Sequence, residues 1–316
     1  MKADVGDAIG KRVASPHRIG QTFANLSDSR YWAYYLVVPS LALIFALILY
    51  PTLWGFELSF REMRLNRPDL GTGFVGLKHY WAMFDDEVFW LSLRNTLVWT
   101  TGAVLGEFSL GLAAALLLNR DLWGFRAASV LILLPWFLPN VVAGHMWALM
   151  LDPRLGVLND MMVKVGILST YKAWFADPNT ALASALLVEI WHGFPFFALL
   201  LLAGLKAIPP DLYEAAMIDG AGALRQFRHV TLPQLNTIIV AAVVLRVISL
   251  VNSPDIILIL TGGGPGRSTL VLSLHAFLKA YREYNFGAAS AVAVLIFILL
   301  MALSYFYVRV SNIMKE

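Results

Sequence analysis

Phe286–Val308 reads FGAASAVAVLIFILLMALSYFYV, a stretch without one charged side chain. A helix needs about 20 mostly apolar residues to cross the hydrocarbon core of a bilayer. A lone strand would leave its backbone unpaired in lipid, and the alternation of an outer-membrane barrel is absent from this stretch, so the reading is a transmembrane helix. Five further segments qualify by the same test: Trp32–Leu53, Leu91–Leu118, Ala127–Leu151, Ala181–Leu205 and Thr237–Leu260. The expected fold is an all-α polytopic membrane protein, a bundle of six transmembrane helices.

The totals agree. The chain has 316 residues, of which 59% are hydrophobic and 14% charged, whereas soluble domains carry about 25% charged residues. The net charge of +3 is small and dispersed, which argues against a nucleic-acid partner. The absence of cysteine excludes disulfides, thiolate metal sites and a cysteine nucleophile. No His-Glu-x-x-His pattern supports a membrane zinc protease, and no metal site is expected.

Residues 1–31 are polar, hold Lys2, Lys11, Arg12, Arg18 and Arg30, and contain no apolar core of signal-peptide type. They are read as a cytoplasmic tail, with the first apolar helix directing insertion. The transmembrane domain then covers 32–311, and 312–316 form a second cytoplasmic tail. With the N-terminus inside, 12 Lys/Arg lie in inside segments against 10 outside. The bias sharpens where helix ends are close, since the tail carries five positive charges and the short link Asn119–Arg126 carries Arg120 and Arg126. Both termini are therefore expected in the cytoplasm. Trp32, Tyr34, Tyr35, Tyr50, Trp54, Trp90, Trp147, Tyr305 and Tyr307 fall near helix ends, where amphipathic rings favour the headgroup zone.

Function is concentrated in one polar link, residues 206–236, within LKAIPPDLYEAAMIDGAGALRQFRHVTLPQLNTII from Leu205 to Ile239. Pro209 and Pro210 end the preceding helix. Asp211 stands as a helix cap, with Glu214 at capping-box spacing. Two turns lead on to Asp219, and Gly220 sits where the helix must stop in a left-handed conformation. A second short helix is expected over about Ala223–Val230, and Pro233 stands at the entry to the fifth crossing. Leu212, Ala215, Ala216 and Met217 give this helix–bend–helix a small apolar face, ringed by Glu214, Asp219, Arg225 and Arg228. A knob of this kind suits insertion into a groove on a cytoplasmic partner.

Glu214, Ala215, Ala216, Asp219, Gly220, Ala221, Phe227, Leu232 and Pro233 resemble the EAA loop of binding-protein-dependent ABC importer permeases. Asn236 stands where that family often has a second proline. The stretches Leu260-Thr-Gly-Gly-Gly-Pro265 and Gly287-Ala-Ala-Ser-Ala291, with the Arg246–Asp255 spacing, are similar to its carbohydrate-type members, although Pro254 replaces an aromatic residue usual there. The resemblance spans most of Tyr31–Arg309. It implies a type I importer bundle in a bacterial inner membrane, conducting a sugar or sugar derivative. Glu214, Ala215, Ala216, Asp219, Gly220, Ala221, Arg225, Phe227 and Pro233 would then couple the chain to an ATPase. The implied partners are a second, similar permease, two ATPase subunits that hold ATP and Mg, and an extracytoplasmic solute-binding protein. This chain would be no enzyme and hold no cofactor. Thr261-Gly-Gly-Gly-Pro-Gly-Arg-Ser268 fails as a phosphate loop, lacking its first glycine and its lysine, and reads as a glycine-rich turn.

Glu107, Glu189, His192, Arg246, Asn140 and Asn252 fall inside the expected crossings. A charge at the bilayer centre costs about 2.5–3.5 kcal/mol on the permissive scale, so each must face a cavity, a partner or another charge. Arg246 paired with Glu107 or Glu189 is one reading. A substrate pathway over Asn140, Glu189, Trp191, His192, Asn252 and Asp255 is another, with Trp191 as a flat face for a sugar ring and Gly193 and Pro195 loosening the backbone. An ion-gradient-driven secondary transporter, coupled through Glu107, Glu189 and Arg246, is the rival from another class. Gly102 and Gly106 have the spacing of a helix-dimerisation face and equally that of close packing within the bundle.

Overall fold

The computed structural model describes residues 32–120 and 125–313. The tail 1–31, residues 121–124 of the link Asn119–Arg126, and residues 314–316 lie outside the described residues. The chain divides into two compact units, one ending at Gly55 and the other beginning at Phe56.

In the first unit α1 (Trp32–Ile44) passes through a π turn, Phe45–Leu49, into α2 (Tyr50–Leu58), within which the unit boundary falls. Two residues after that turn stands Pro51. A proline offers no N–H and its ring crowds the carbonyl four residues back. Widening the preceding turn absorbs both effects. The same device recurs in the second unit, where Pro233 stands at the same offset after the π turn Phe227–Thr231.

The second unit contains α3 (Lys78–Phe84), α4 (Glu87–Leu118), α5 (Phe125–Phe137), α6 (Asn140–Met150) and α7 (Val157–Lys164). It continues with α8 (Ala181–Ala207), α9 (Pro210–Ile218), α10 (Ala223–Gln226), α11 (Leu232–Asn252), α12 (Asp255–Leu260), α13 (Leu272–Tyr281) and α14 (Phe286–Ile313). Among the described residues there are only isolated β-bridges, Arg61–Phe74 and Arg64–Asn285. Among the described residues five helices are long and apolar enough to cross a membrane, and six if the bent pair α5–α6 is one crossing.

α4 and α8 form the spine. Gly102, Gly106 and Gly111 lie where a Cβ would run into Leu186, Ile190 and Phe197 at 2.7, 2.4 and 2.5 Å. The two helices therefore approach closely, and the spacing of Gly102 and Gly106 is explained within the chain. Packing between membrane helices favours such small residues, because lipid is as apolar as any leucine. Polarity on α4 obeys the same logic: Ser92, Asn95, Thr96, Thr100 and Glu107 are buried, while Leu97, Val98, Leu105, Leu110 and Leu117 point outward.

Two crossings differ from the sequence expectation. The third is not one helix over Ala127–Leu151, because α5 and α6 meet at a 100° bend. Leu138 and Pro139 interrupt it: a residue before proline is driven out of the α conformation, and Pro139 takes the extended ψ of 141° that precedes α6. The fifth begins earlier than Thr237. α10, the π turn and α11 continue one another, so the polar link's second helix runs into the membrane helix without a stop. That crossing is then interrupted at Ser253–Pro254 before α12.

Candidate functional site

Three crossings meet at a buried ion triad. Arg246 on α11 donates from Nε to Glu107 Oε2 at 2.6 Å and from Nη2 to Glu107 Oε1 at 2.7 Å, a forked pair with α4. The same Nη2 donates to Glu189 Oε1 on α8 at 2.5 Å. The Glu107 side chain is fully buried, and those of Glu189 and Arg246 are 8% and 12% exposed. Of the two readings open for these charges, the internal ion pair is the one the geometry shows, and it joins both carboxylates rather than one. Charged groups away from water must be matched in this way, and the forked geometry fixes the relative rotation of the helices as well.

Gly193 makes the triad possible. A Cβ there would lie 2.3 Å from both Arg246 Nη2 and Glu107 Oε1. The expectation that Gly193 and Pro195 loosen α8 is not met, since the helix runs unbroken from Ala181 to Ala207. Gly193 is instead the gap in the α8 surface that admits the guanidinium. One signal in the sequence pointed to it: it lies four residues after Glu189, which puts both on one face of the helix.

Beside the triad lies a cavity of about 380 Å³, lined by Trp136, Asn140, Glu189, His192, Arg246, Ser249 and Ser253 among others. His192 Nε2 is 3.0 Å from the Leu138 carbonyl, which the break between α5 and α6 leaves without a helical partner. Asn140 Nδ2 donates to Asp255 Oδ2 at 2.9 Å, and Ser253 Oγ donates to the same oxygen at 2.8 Å. The broken ends of the third and fifth crossings are thereby latched together at the cavity rim. The structure gathers Asn140, Glu189, His192 and, through Asn140, Asp255. It does not bring Trp191 or Asn252 to the cavity. Trp191 packs edge-on against Trp147, ring centres 5.3 Å apart, and both rings lie against the hydrophobic core. Asn252 donates back to its own helix at Ile248. The aromatic wall of the cavity is Trp136, which lies in the Leu134–Asn140 stretch between two prolines.

The polar elbow is built by α9, the bend at Gly220, α10 and the π turn. Pro209 occupies the cap and Pro210 the first helical position, where its missing N–H is no loss. The predicted Asp211 cap is not formed, because the helix starts two residues earlier than that cap requires and Asp211 already lies in its first turn. The C-terminus matches expectation: Gly220 has φ +75°, its N–H reaches the Met217 carbonyl at 3.0 Å, and Ala221 N–H reaches the Ala216 carbonyl at 2.8 Å. These two bonds are the Schellman closure of a helix. Gln226 Nε2 donates to the Ala221 carbonyl at 2.8 Å, and Tyr213 and Thr231 share a hydroxyl hydrogen bond at 3.0 Å, tying α9 back to the π turn. The elbow is stiff, yet it presents Ile218 and Leu224 at 87% and 80% exposure. Glu214, Ala215, Asp219, Gly220, Arg225 and Pro233 are exposed beside them, with Ala216, Ala221 and Phe227 half-buried. Glu214 has no side-chain partner among the described residues.

Residues 107–312 match the family described as binding-protein-dependent transport system inner membrane component. The trehalose/maltose transport system permease protein MalF of Thermococcus litoralis is 34% identical over 283 residues, 90% of this chain and 94% of that protein. The sulfoquinovosyl glycerol transport system permease protein SmoG of Agrobacterium fabrum is 38% identical, covering 89% of this chain and 90% of its own. Among solved structures, a bacterial ABC transporter involved in import of the acidic polysaccharide alginate superposes with a TM-score of 0.79 at 21% identity, covering 94% of this chain and all of that one. The alginate transporter in complex with an alginate pentasaccharide-bound periplasmic protein gives 0.77 at 22% identity over 90% of this chain and 96% of that one.

Proposed function

This chain belongs to the binding-protein-dependent transport system inner membrane components, and we propose that it is the sugar-conducting permease subunit of an ATP-driven importer. The substrate class rests on relatives named for trehalose, maltose and sulfoquinovosyl glycerol. The partners are inferred from the family's dependence on a binding protein and from the surfaces of this chain. They are a second, similar permease, two ATPase subunits carrying ATP and Mg, and an extracytoplasmic solute-binding protein. Both termini and the elbow face the cytoplasm.

The observation that carries the reading is the elbow: a short helix locked at both ends that exposes Met217 and Ile218, followed after the bend by exposed Leu224. Exposed large apolar residues on a rigid, non-membrane segment are at home in a partner's groove. Closing of the ATPase dimer would drag the elbow as one body. Because α10, the π turn and α11 are continuous, the motion reaches Arg246, and through the triad it reaches α4 and α8. The cavity at Asn140, His192, Ser249 and Ser253 would line the sugar's route, with neutral hydrogen-bonding groups for hydroxyls and Trp136 as the flat face for a ring.

Cysteine at Ala215 or Ile218, in this cysteine-free chain, should cross-link to an ATPase subunit in native membranes, and the yield should fall on adding ATP analogues that move the dimer. Absence of any ATPase among the captured proteins would overturn the reading. So would substrate uptake by the purified chain alone under an ion gradient.

A further inference from the structure

At the far end of the fifth crossing from the elbow, the glycine-rich turn forms one wall of a second cavity, of about 490 Å³. Its charged lining is Arg267, Lys279 and Arg282 against Asp86 and Glu283, with His275 at its side. The acidic groups are already in use. Asp86 Oδ1 accepts the Val88 N–H at the start of α4, and Lys279 stands 3.8 Å from Asp86 and 4.0 Å from Glu283. Arg267 and Arg282 have no partner among the described residues. Three cations thus share the cavity with two carboxylates, and neither guanidinium is bonded to one of them.

Arg267 is held there against the preference of its backbone. Its φ is +67°, the left-handed region that glycine occupies without penalty, and neighbouring Gly266 has φ +55°. Buried Asn95 on α4 fixes the turn, donating to the carbonyls of Arg267 at 3.3 Å and Leu270 at 3.1 Å. Thr269 Oγ1 closes the turn on the Gly264 carbonyl at 2.8 Å. A strained residue that the surrounding structure over-determines points to use. Beside it, burial above all holds the His275 imidazole down at about 4, with Lys279 and Arg267 pushing the same way and Asp86 opposing them.

We infer that this cavity is a docking socket for carboxylate side chains on the solute-binding protein, received by Arg267 and Arg282. The inference rests on the proposed function, which supplies such a partner at this end of the chain. A protein carboxylate fits better than a transported anion, because this cavity shares no lining residue with the one beside Arg246. An ion held here would be off that route. Exposed charge pairs contribute little each, but two on a preformed rim set the encounter and its salt dependence.

The test uses the intact importer assembly in lipid nanodiscs, with the binding protein that co-purifies from native membranes. ATP hydrolysis is monitored as that protein is titrated in. Arg267→Glu with Arg282→Glu should raise the half-saturating concentration about tenfold, with the same maximal rate, and flatten its dependence on salt. Arg267→Gly removes the charge while suiting the backbone, so it should weaken docking without lowering the melting temperature of the assembly. Arg267→Lys should stay near wild type. Unchanged half-saturation in the double variant overturns the socket while leaving the importer reading intact. A change in anion transport without a change in half-saturation overturns it too. A wild-type assembly whose hydrolysis ignores the binding protein overturns both.

Discussion

Replacing Gly193 with alanine adds one methyl group to the most crowded electrostatic site in the chain. The new Cβ would sit 2.3 Å from Arg246 Nη2 and from Glu107 Oε1, and 2.5 Å from the Glu107 carboxyl carbon. None of these atoms can yield without breaking the forked pair, since both residues are buried and bonded on opposite sides. Breaking a buried ion pair costs about 3–5 kcal/mol. Alanine recovers about 1 kcal/mol of helix propensity, which leaves a net loss of about 2–4 kcal/mol. That is about a 30- to 1,000-fold shift in the unfolding equilibrium. Gly102→Ala is the control, because its Cβ meets only the end of the flexible Leu186 side chain at 2.7 Å. Equilibrium unfolding of both variants in mixed detergent micelles, with sugar uptake in parallel, reads the difference. If Gly193→Ala unfolds with Gly102→Ala and transports normally, the triad does not hold the three crossings together.

Glu214→Ala should abolish ATP-driven uptake while the protein still inserts and assembles, because Glu214 is exposed and unpartnered among the described residues and its expected pair, worth about 2–5 kcal/mol, lies across the ATPase interface; uptake assays beside membrane immunoblots check both halves. A Cβ at Gly220 meets no atom within 4 Å, so the cost of Gly220→Val starts from a backbone penalty at φ +75° of about 1–2 kcal/mol; it should uncouple hydrolysis from uptake, and Gly220→Asn should do so less. His275 is held neutral by burial at about 4, while an unfolded histidine titrates near 6.5. The unfolded chain therefore takes up the proton first as pH falls, and stability present above about 6.5 is lost progressively down to about 4, by up to about 3 kcal/mol. Thermal unfolding of wild type should show that slope, and His275→Gln should lose most of it.

How much of this was legible in the residue order divides along physical lines. Six crossings could be placed because lipid imposes its demand on each segment separately: about 20 apolar residues in a row satisfy it without reference to any other part of the chain. The elbow was legible for the same reason. Proline before a helix and glycine after it act on their own backbone, and Gly220 closes α9 as its position required. Glu214 and its neighbours could be proposed as a docking knob because such a knob would be a contiguous segment.

The tertiary structure was needed for every feature made by residues distant in the chain. Arg246 could have chosen either carboxylate. That it takes both, across separations of 57 and 139 residues, depends on the register of three helices against one another. The same registry turns Gly193 from a loose point into a slot, puts Trp191 against Trp147, and leaves Trp136 at the cavity wall. It also decides what the prolines do. Pro195 lies within an unbroken helix, whereas Pro139 precedes a new one after a 100° turn, where His192 meets the Leu138 carbonyl. Local chemistry fixed which segments enter the membrane; only their mutual packing settled which side chains face one another once there.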